Sequence, residues 1–228
     1  MIIPNYVPEP VEVPGNVHDQ PYSVRVIFNR QVVIAFAVTW FVASLAALAL
    51  PQVEWNIALP VYLGWCLVLG LVRLILRGSD WEAKVSVATW PLTVGCLAML
   101  LEAAPVNLVP YGLAIATLTI YTLGSGHDFS FPRAFLLMWL VILSGTAALD
   151  FAWPHLAYAT VFAYYVVYDL WCIQYRRQPK EVMAGAVDIC RDMLNVLGWI
   201  VRVIAHWRKY HLWTDVQEDL ARRLHPEA

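Results

Sequence analysis

Three aspartates stand where a membrane-type sequence should have none. Asp169 falls inside an apolar run over 156–173, and Asp188 and Asp192 fall inside another over 182–204, the second run also carrying Arg191 and Arg202. Carboxylates at membrane depth are costly, so they face a protein interior or a water-filled path and mark ion pathways or proton relays. The turn between the two runs centres near Pro179. Asp169 lies ten residues before it, Asp188 nine after and Asp192 thirteen after. On adjacent antiparallel helices those offsets set all three about 13–20 Å from the turn, at similar depth. Asp188, Arg191, Asp192, Asn195 and Arg202 recur at helical spacing and form one polar stripe, while Ile189, Met193, Val196, Leu197, Ile200 and Ile204 make the opposite face.

Two chemistries fit facing carboxylates. They can share a proton, because like charges in a low-dielectric site do not both ionise easily. They can also hold a divalent cation at Asp169 and Asp192. Calcium takes about six to eight oxygens and two carboxylates supply at most about four, so such a site would be weak and suited to permeation. Competition between proton and calcium would make it pH-dependent. A third reading is a structural Asp–Arg network, for instance Asp169 or Asp188 paired with Arg191 or Arg73.

The elements that must position these residues are membrane helices. Of 228 residues, 60% are hydrophobic and 14% charged, against about 45–50% and 25% in soluble domains. Spanning helices need about 20 apolar residues. Seven runs qualify or nearly so, at 32–50, 57–76, 85–101, 106–123, 134–149, 156–173 and 182–204. The expected fold is therefore all-α, a multi-pass bundle of seven helices, over residues 25–204. Residues 1–24, with five prolines and three acids, read as a disordered tail and show no cleavable signal pattern. Residues 205–228 read as an amphipathic tail, with Leu212, Val216, Leu220 and Leu224 repeating every four.

Lysine and arginine gather before the first run and in the second, fourth and sixth connections, and the other connections lack them. That alternation predicts a cytoplasmic N-terminus. The tail's Arg208, Lys209, Arg222 and Arg223 oppose a full seventh crossing and favour re-entrance, yet 182–204 is about 35 Å of helix, long enough to span. A buried helix at the bundle centre satisfies the length and the polar stripe.

Other chemistry finds little support. The four cysteines, Cys66, Cys96, Cys172 and Cys190, lie in apolar runs without a metal or disulfide spacing. The six histidines lie in tails and connections. Gly124-Ser125-Gly126-His127 lacks the strand-to-helix elbow of a serine hydrolase. The chain is expected not to be an enzyme, to need no cofactor, and, at a formal net charge of −2, not to bind nucleic acid.

Four patches resemble the transmembrane Bax-inhibitor-motif family, also called lifeguard or Bax-inhibitor-1-like proteins. They are Arg25-x-x-Phe28-x-Arg30-x-Val32, Thr119-Ile120-Tyr121 followed by His127 to Phe131, Tyr168-Asp169 followed by Ile173, and Asp188 to Met193 followed by Leu197. The resemblance implies six helices around a central seventh. It also implies a carboxylate pair of Asp169 and Asp192, calcium leak from the endoplasmic reticulum or related stores, and modulation of apoptosis. Three departures stand out. The family's glutamate at the start of the third helix is missing, since Glu102 sits at the wrong end. Trp171 stands where a glutamine is usual, and Arg191 where an apolar residue is usual. The compact, divergent chain looks like the cytomegalovirus-type members encoded by herpesviruses. The function implied is a calcium-permeable, pH-sensitive leak channel whose partners are the bilayer, calcium and protons. The alternative is a non-conducting scaffold that binds host membrane proteins and alters death or immune signalling.

Overall fold

The computed structural model describes residues 12–49, 53–76, 79–100, 109–125, 129–148, 153–194 and 204. It is a seven-helix bundle: α1 (Tyr22–Ala49), α2 (Trp55–Leu76), α3 (Asp80–Leu100), α4 (Val109–Gly124), α5 (Phe131–Ala148), α6 (Trp153–Arg176) and α7 (Val182–Leu194). Four stretches are long and apolar enough to cross a membrane: Tyr22–Ala46, Trp55–Leu76, Phe131–Ala148 and Leu156–Arg176. The chain thus has the build of a membrane protein. α4 has 16 residues, about 24 Å of helix, shorter than the roughly 30 Å hydrocarbon core.

Local chemistry explains how apolar helices carry so many hydroxyls. Thr39, Ser44, Thr89, Thr117, Thr119, Thr122 and Thr160 each donate to the carbonyl four residues back at 2.6–2.9 Å. Each polar group is satisfied on its own helix and needs no water. α4 and α5 pair along rows of every fourth residue: Ala114, Leu118 and Thr122 on one, Ala134, Met138, Ile142 and Thr146 on the other, all buried. Such rows are the ridges through which helices interlock.

The helices differ sharply in enclosure. Only 12% of α2's apolar span is buried against 67% for α6, so α2 is peripheral and α6 interior. Exposed Leu63, Leu67, Leu71, Leu74 and Ile75 on α2 suit contact with lipid tails, which satisfy apolar side chains as a protein interior does. α7 enters between α1, α3 and α6, and Ala186 to Cys190 are all buried there. Over Val182–Leu194 its 13 residues span about 20 Å. Ile204 is helical. Residues 195–203, which complete the expected segment 182–204, and the tail 205–228 lie outside the described residues.

Two boundaries differ from expectation. α1 starts at Tyr22, ten residues before its apolar run, and carries Arg25 and Arg30 as helix. Pro21 opens it, its carbonyl accepting from Val24 and Arg25, a role suited to a residue whose φ is already helical. The disordered tail expected over 1–24 is also too long. Residues 12–20 are structured, because Pro14 and Gly15 form a turn closed by the Asn16 amide on the Val13 carbonyl at 3.2 Å. Gly15 takes φ +68°, the left-handed value that the third turn position requires. Val17 behind it is buried in the core. Residues 1–11 lie outside the described residues.

Several contacts bring the N-terminus and the even-numbered connections to one end of the bundle. Tyr22 donates to the Phe129 carbonyl at 2.6 Å, the 12–20 segment bonds to residues 174–177, and Arg191 reaches Glu82. The segment 12–20, the Phe129 region and the end of α6 therefore lie at one end of the bundle.

Gly185 marks the tightest described approach of α7. A Cβ there would meet Val32 and Phe28 of α1 and Ile173 of α6 at 3.1–3.3 Å. Gly185→Val should cost about 1–3 kcal/mol by overpacking. Gly64→Ala on α2, where a Cβ meets nothing within 4 Å, should gain about 0.5–1 kcal/mol. Thermal unfolding of the detergent-solubilised protein checks both, and a Gly185→Val protein as stable as the parent contradicts the packing described.

Candidate functional site

Asp169 and Asp188, two of the carboxylates singled out by spacing, sit in a charge cluster on α6 and α7 that Arg191 links to α3. Asp169 is 1% exposed and Asp188 2%. Arg176, two turns beyond Asp169 on the same helix, folds back so that Nη2 lies 3.0 Å from Asp169 Oδ1. Arg177, the first residue past α6, crosses to α7 and grips Asp188 with two bonds, Nε to Oδ2 at 2.7 Å and Nη2 to Oδ1 at 2.8 Å. This fork-to-carboxylate geometry is the strong form of the pair. Arg176 and Arg191 also act on Asp188 electrostatically, so the two pairs form one network.

Arg191 points the other way, to α3. Its Nη2 lies 3.3 Å from Glu82 Oε1 and 3.0 Å from Ser86 Oγ. Glu82 and Ser86 are four residues apart and share a helix face. Three guanidiniums thus meet three carboxylates (3 − 3 = 0), and the described ion pairs of the cluster are neutral as a set. Neutral contacts brace it. Tyr165 donates to the Ile189 carbonyl at 2.5 Å, and Gln174 donates to Asn29 of α1 at 3.3 Å.

The turn holding Arg177 is built by local sequence. Glu181 precedes α7, its carbonyl accepting the Gly185 amide at 3.0 Å and its carboxylate the Gln178 amide at 2.7 Å. A carboxylate there also complements the positive end of the α7 dipole, as Arg176 complements the negative end of α6.

Asp169 and Asp188 are thus held by consecutive residues, Arg176 and Arg177. Asp192 follows one turn after Asp188 on α7, but its side chain, like that of Arg73, lies outside the described residues, so the Asp169–Asp192 pair does too. Arg191 pairs with Glu82, a partner that spacing did not offer. Arg176 and Arg177, which bond Asp169 and Asp188, are residues that charge bias assigns only to a cytoplasmic turn. The seven-residue step from Asp169 to Arg176, one helix face, is the sequence signal for the first. Glu82 also changes its reading: α3 begins at Asp80, so a glutamate does stand in its first turn, three residues before the apolar run starts.

Among the described residues no group of three or more His, Cys, Asp or Glu side chains is placed to hold a metal ion. Around Asp169 and Asp188 guanidinium groups take coordination space that a cation would need. The arrangement is an electrostatic clamp that ties α6 to α7 and α7 to α3. No protein-family model, curated protein or solved structure matches the chain.

Removing one partner of a buried pair costs about 3–5 kcal/mol, whereas an apolar pair of similar size is nearly neutral. Arg177→Met alone should destabilise by about 3 kcal/mol, at the low end because Arg177 is 19% exposed. Adding Asp188→Leu should restore most of that. A double-mutant cycle on thermal unfolding measures the coupling, and a value under about 0.5 kcal/mol, typical of an exposed pair, contradicts a clamp.

Proposed function

We propose that this chain is a calcium-permeable, pH-sensitive leak channel of intracellular membranes, of the transmembrane Bax-inhibitor-motif type, with the α6–α7 charge cluster as its gate in the shut position. The observation that carries the reading is the burial of Asp169 and Asp188 at 1% and 2% exposure inside an apolar bundle. Each ion taken from water costs several kcal/mol, and apolar side chains of similar volume often hold helices as well or better. Charges kept at such depth therefore point to ion or proton traffic. Glu82 in the first turn of α3 adds support, supplying the early third-helix glutamate that the resemblance calls for.

The gate works by exchange of partners. With Arg177 on Asp188 and Arg176 on Asp169, the carboxylates are neutralised and repel no anion and attract no cation. Protonation of an aspartate removes its charge and releases the arginine towards the turn. As protons leave, calcium competes with the arginine for the exposed carboxylate oxygens, with Asp192 one turn further along α7 as the next acidic station. In this mechanism leak rises on acidification of the face that carries the turn. Reduced store calcium and altered apoptosis would follow in a membrane such as the endoplasmic reticulum, with the N-terminus cytoplasmic.

The charge balance among the described ion pairs favours a second reading, a non-conducting scaffold. There the ion pairs only crosslink helices, and the protein binds partner membrane proteins and alters death or immune signalling.

Calcium flux from liposomes holding the purified protein separates the two. Asp188→Asn, which frees Arg177, should raise leak about tenfold or more, since a factor of ten is about 1.4 kcal/mol and the pair holds more than that. Asp192→Asn should abolish leak, and Asp169→Asn should remove its pH dependence. A leak unchanged by both Asp169→Asn and Asp192→Asn removes the mechanism, and no flux in any protein leaves the scaffold.

A further inference from the structure

The end of α6 leaves carbonyls that no further helical turn can satisfy. Here a distant part of the chain satisfies them. Val13, Val17 and His18 donate their amides to the carbonyls of Tyr175, Arg177 and Gln174 at 3.0, 2.9 and 3.1 Å. Gln178 returns a bond, Nε2 to the Pro14 carbonyl at 3.3 Å. The His18 ring lies on Tyr175 with centroids 4.2 Å apart and planes 20° from parallel. Val17 and Asn16 are buried beneath. The segment shapes itself as well: Asn16 Oδ1 accepts the Asp19 amide at 3.0 Å.

The residues it grips are those that carry or flank the clamp. Arg177, whose carbonyl accepts from Val17, holds Asp188 with its side chain. Gln174 and Tyr175, which accept from His18 and Val13, immediately precede Arg176, the partner of Asp169. We infer that residues 12–20 form a strap that holds Arg176 and Arg177 on their aspartates, so that release of this N-terminal segment opens the cluster. As a hold on the ion pairs the strap stands on these contacts alone; as a control on leak it rests on the channel reading. The mechanism is mechanical. With the strap in place the backbone at 174–177 is bonded on both sides. Without it three carbonyls lose their donors, the turn loosens, and both arginines gain a route to solvent.

Gly15 offers a clean way to loosen the strap. Its φ of +68° suits glycine and strains any β-branched residue, yet a Cβ there would meet nothing within 4 Å. Gly15→Val therefore strains the turn without a clash, and Gly15→Asn, a residue that tolerates left-handed backbone, is the conservative rescue. The reporter is native. Cys190 is 2% exposed, lies beside the cluster and feels Asp169 and Asp188. Its labelling by a small charged methanethiosulfonate reagent, located by mass spectrometry on the full chain, reads opening of the clamp.

Gly15→Val should raise the Cys190 labelling rate about 5- to 30-fold, the population change expected for strain of this size. His18→Ala, which removes the stacking, should raise it about 2- to 10-fold, and Gly15→Asn should match the parent. A matching rise in calcium leak extends the strap to channel control. A rise in labelling with no flux in any variant upholds the strap and removes the channel reading. Labelling at the parent rate in both Gly15→Val and His18→Ala, while Arg177→Ala raises it, overturns the strap. So does an equal rise at buried Cys66 on α2, which marks general unfolding.

Discussion

A charge is taken out of water at a cost of several kcal/mol unless an opposite charge with good geometry goes with it. The interior end of this bundle is organised around that constraint. Asp169 and Asp188 are fully enclosed, and each has drawn in an arginine from the α6–α7 turn. Much of the local architecture follows. α6 must end where Arg176 can fold back and Arg177 can cross over. α7 approaches so closely that a Cβ at 185 would lie 3.1–3.3 Å from Val32, Ile173 and Phe28. Arg191, on the same helix, is left to crosslink α7 to Glu82 at the start of α3. α6, which carries Asp169 and Arg176, is the most enclosed of the four apolar spans, and α2, which lies on the outside, is apolar on nearly every side.

Neutral pairing has a double consequence. It makes burial tolerable, and it stores a conformational choice. A bidentate guanidinium on a carboxylate is strong while dry, but it competes with a proton, a metal ion or water once any of these gains access. Such a site is a lock or a gate depending on whether something can move the arginine. Arg177 stands on a turn and is the more exposed partner of its pair, so movement here requires no unfolding of α7. The segment ahead of α1 bears on the same turn through backbone bonds, which ties the start of the chain to a site more than 150 residues later.

Much of this was legible in the residues and some was not. The apolar runs marked the seven helices, and the stripe on the last run identified Asp188 as inward-facing. The offsets about Pro179 brought Asp169 and Asp188 to one level. The ion pairs of Arg176 and Arg177 went unread because bias rules treat a basic residue near a helix end as a marker of sidedness, and a long flexible side chain can serve both that purpose and an ion pair two turns away. Glu82 escaped because the helix begins before the hydrophobic stretch does: backbone hydrogen bonding continues through polar residues that hydropathy excludes. The proline-rich start read as disorder, since composition cannot register carbonyls waiting at the end of a helix far along the chain.

Composition and periodicity by themselves determined the class of protein, the number of helices, and which carboxylates lie on a buried face, because burying apolar surface and satisfying the backbone internally leave an apolar chain few alternatives. The pairing of charges was decided only in three dimensions. Asp169 had Arg73, Arg176, Arg177 and Arg191 as arithmetically possible partners, and sequence spacing ranks none of them across helices. The fold sets Arg176 3.0 Å from Asp169, and an ion pair in a low-dielectric interior depends steeply on distance and geometry, which are properties of packing.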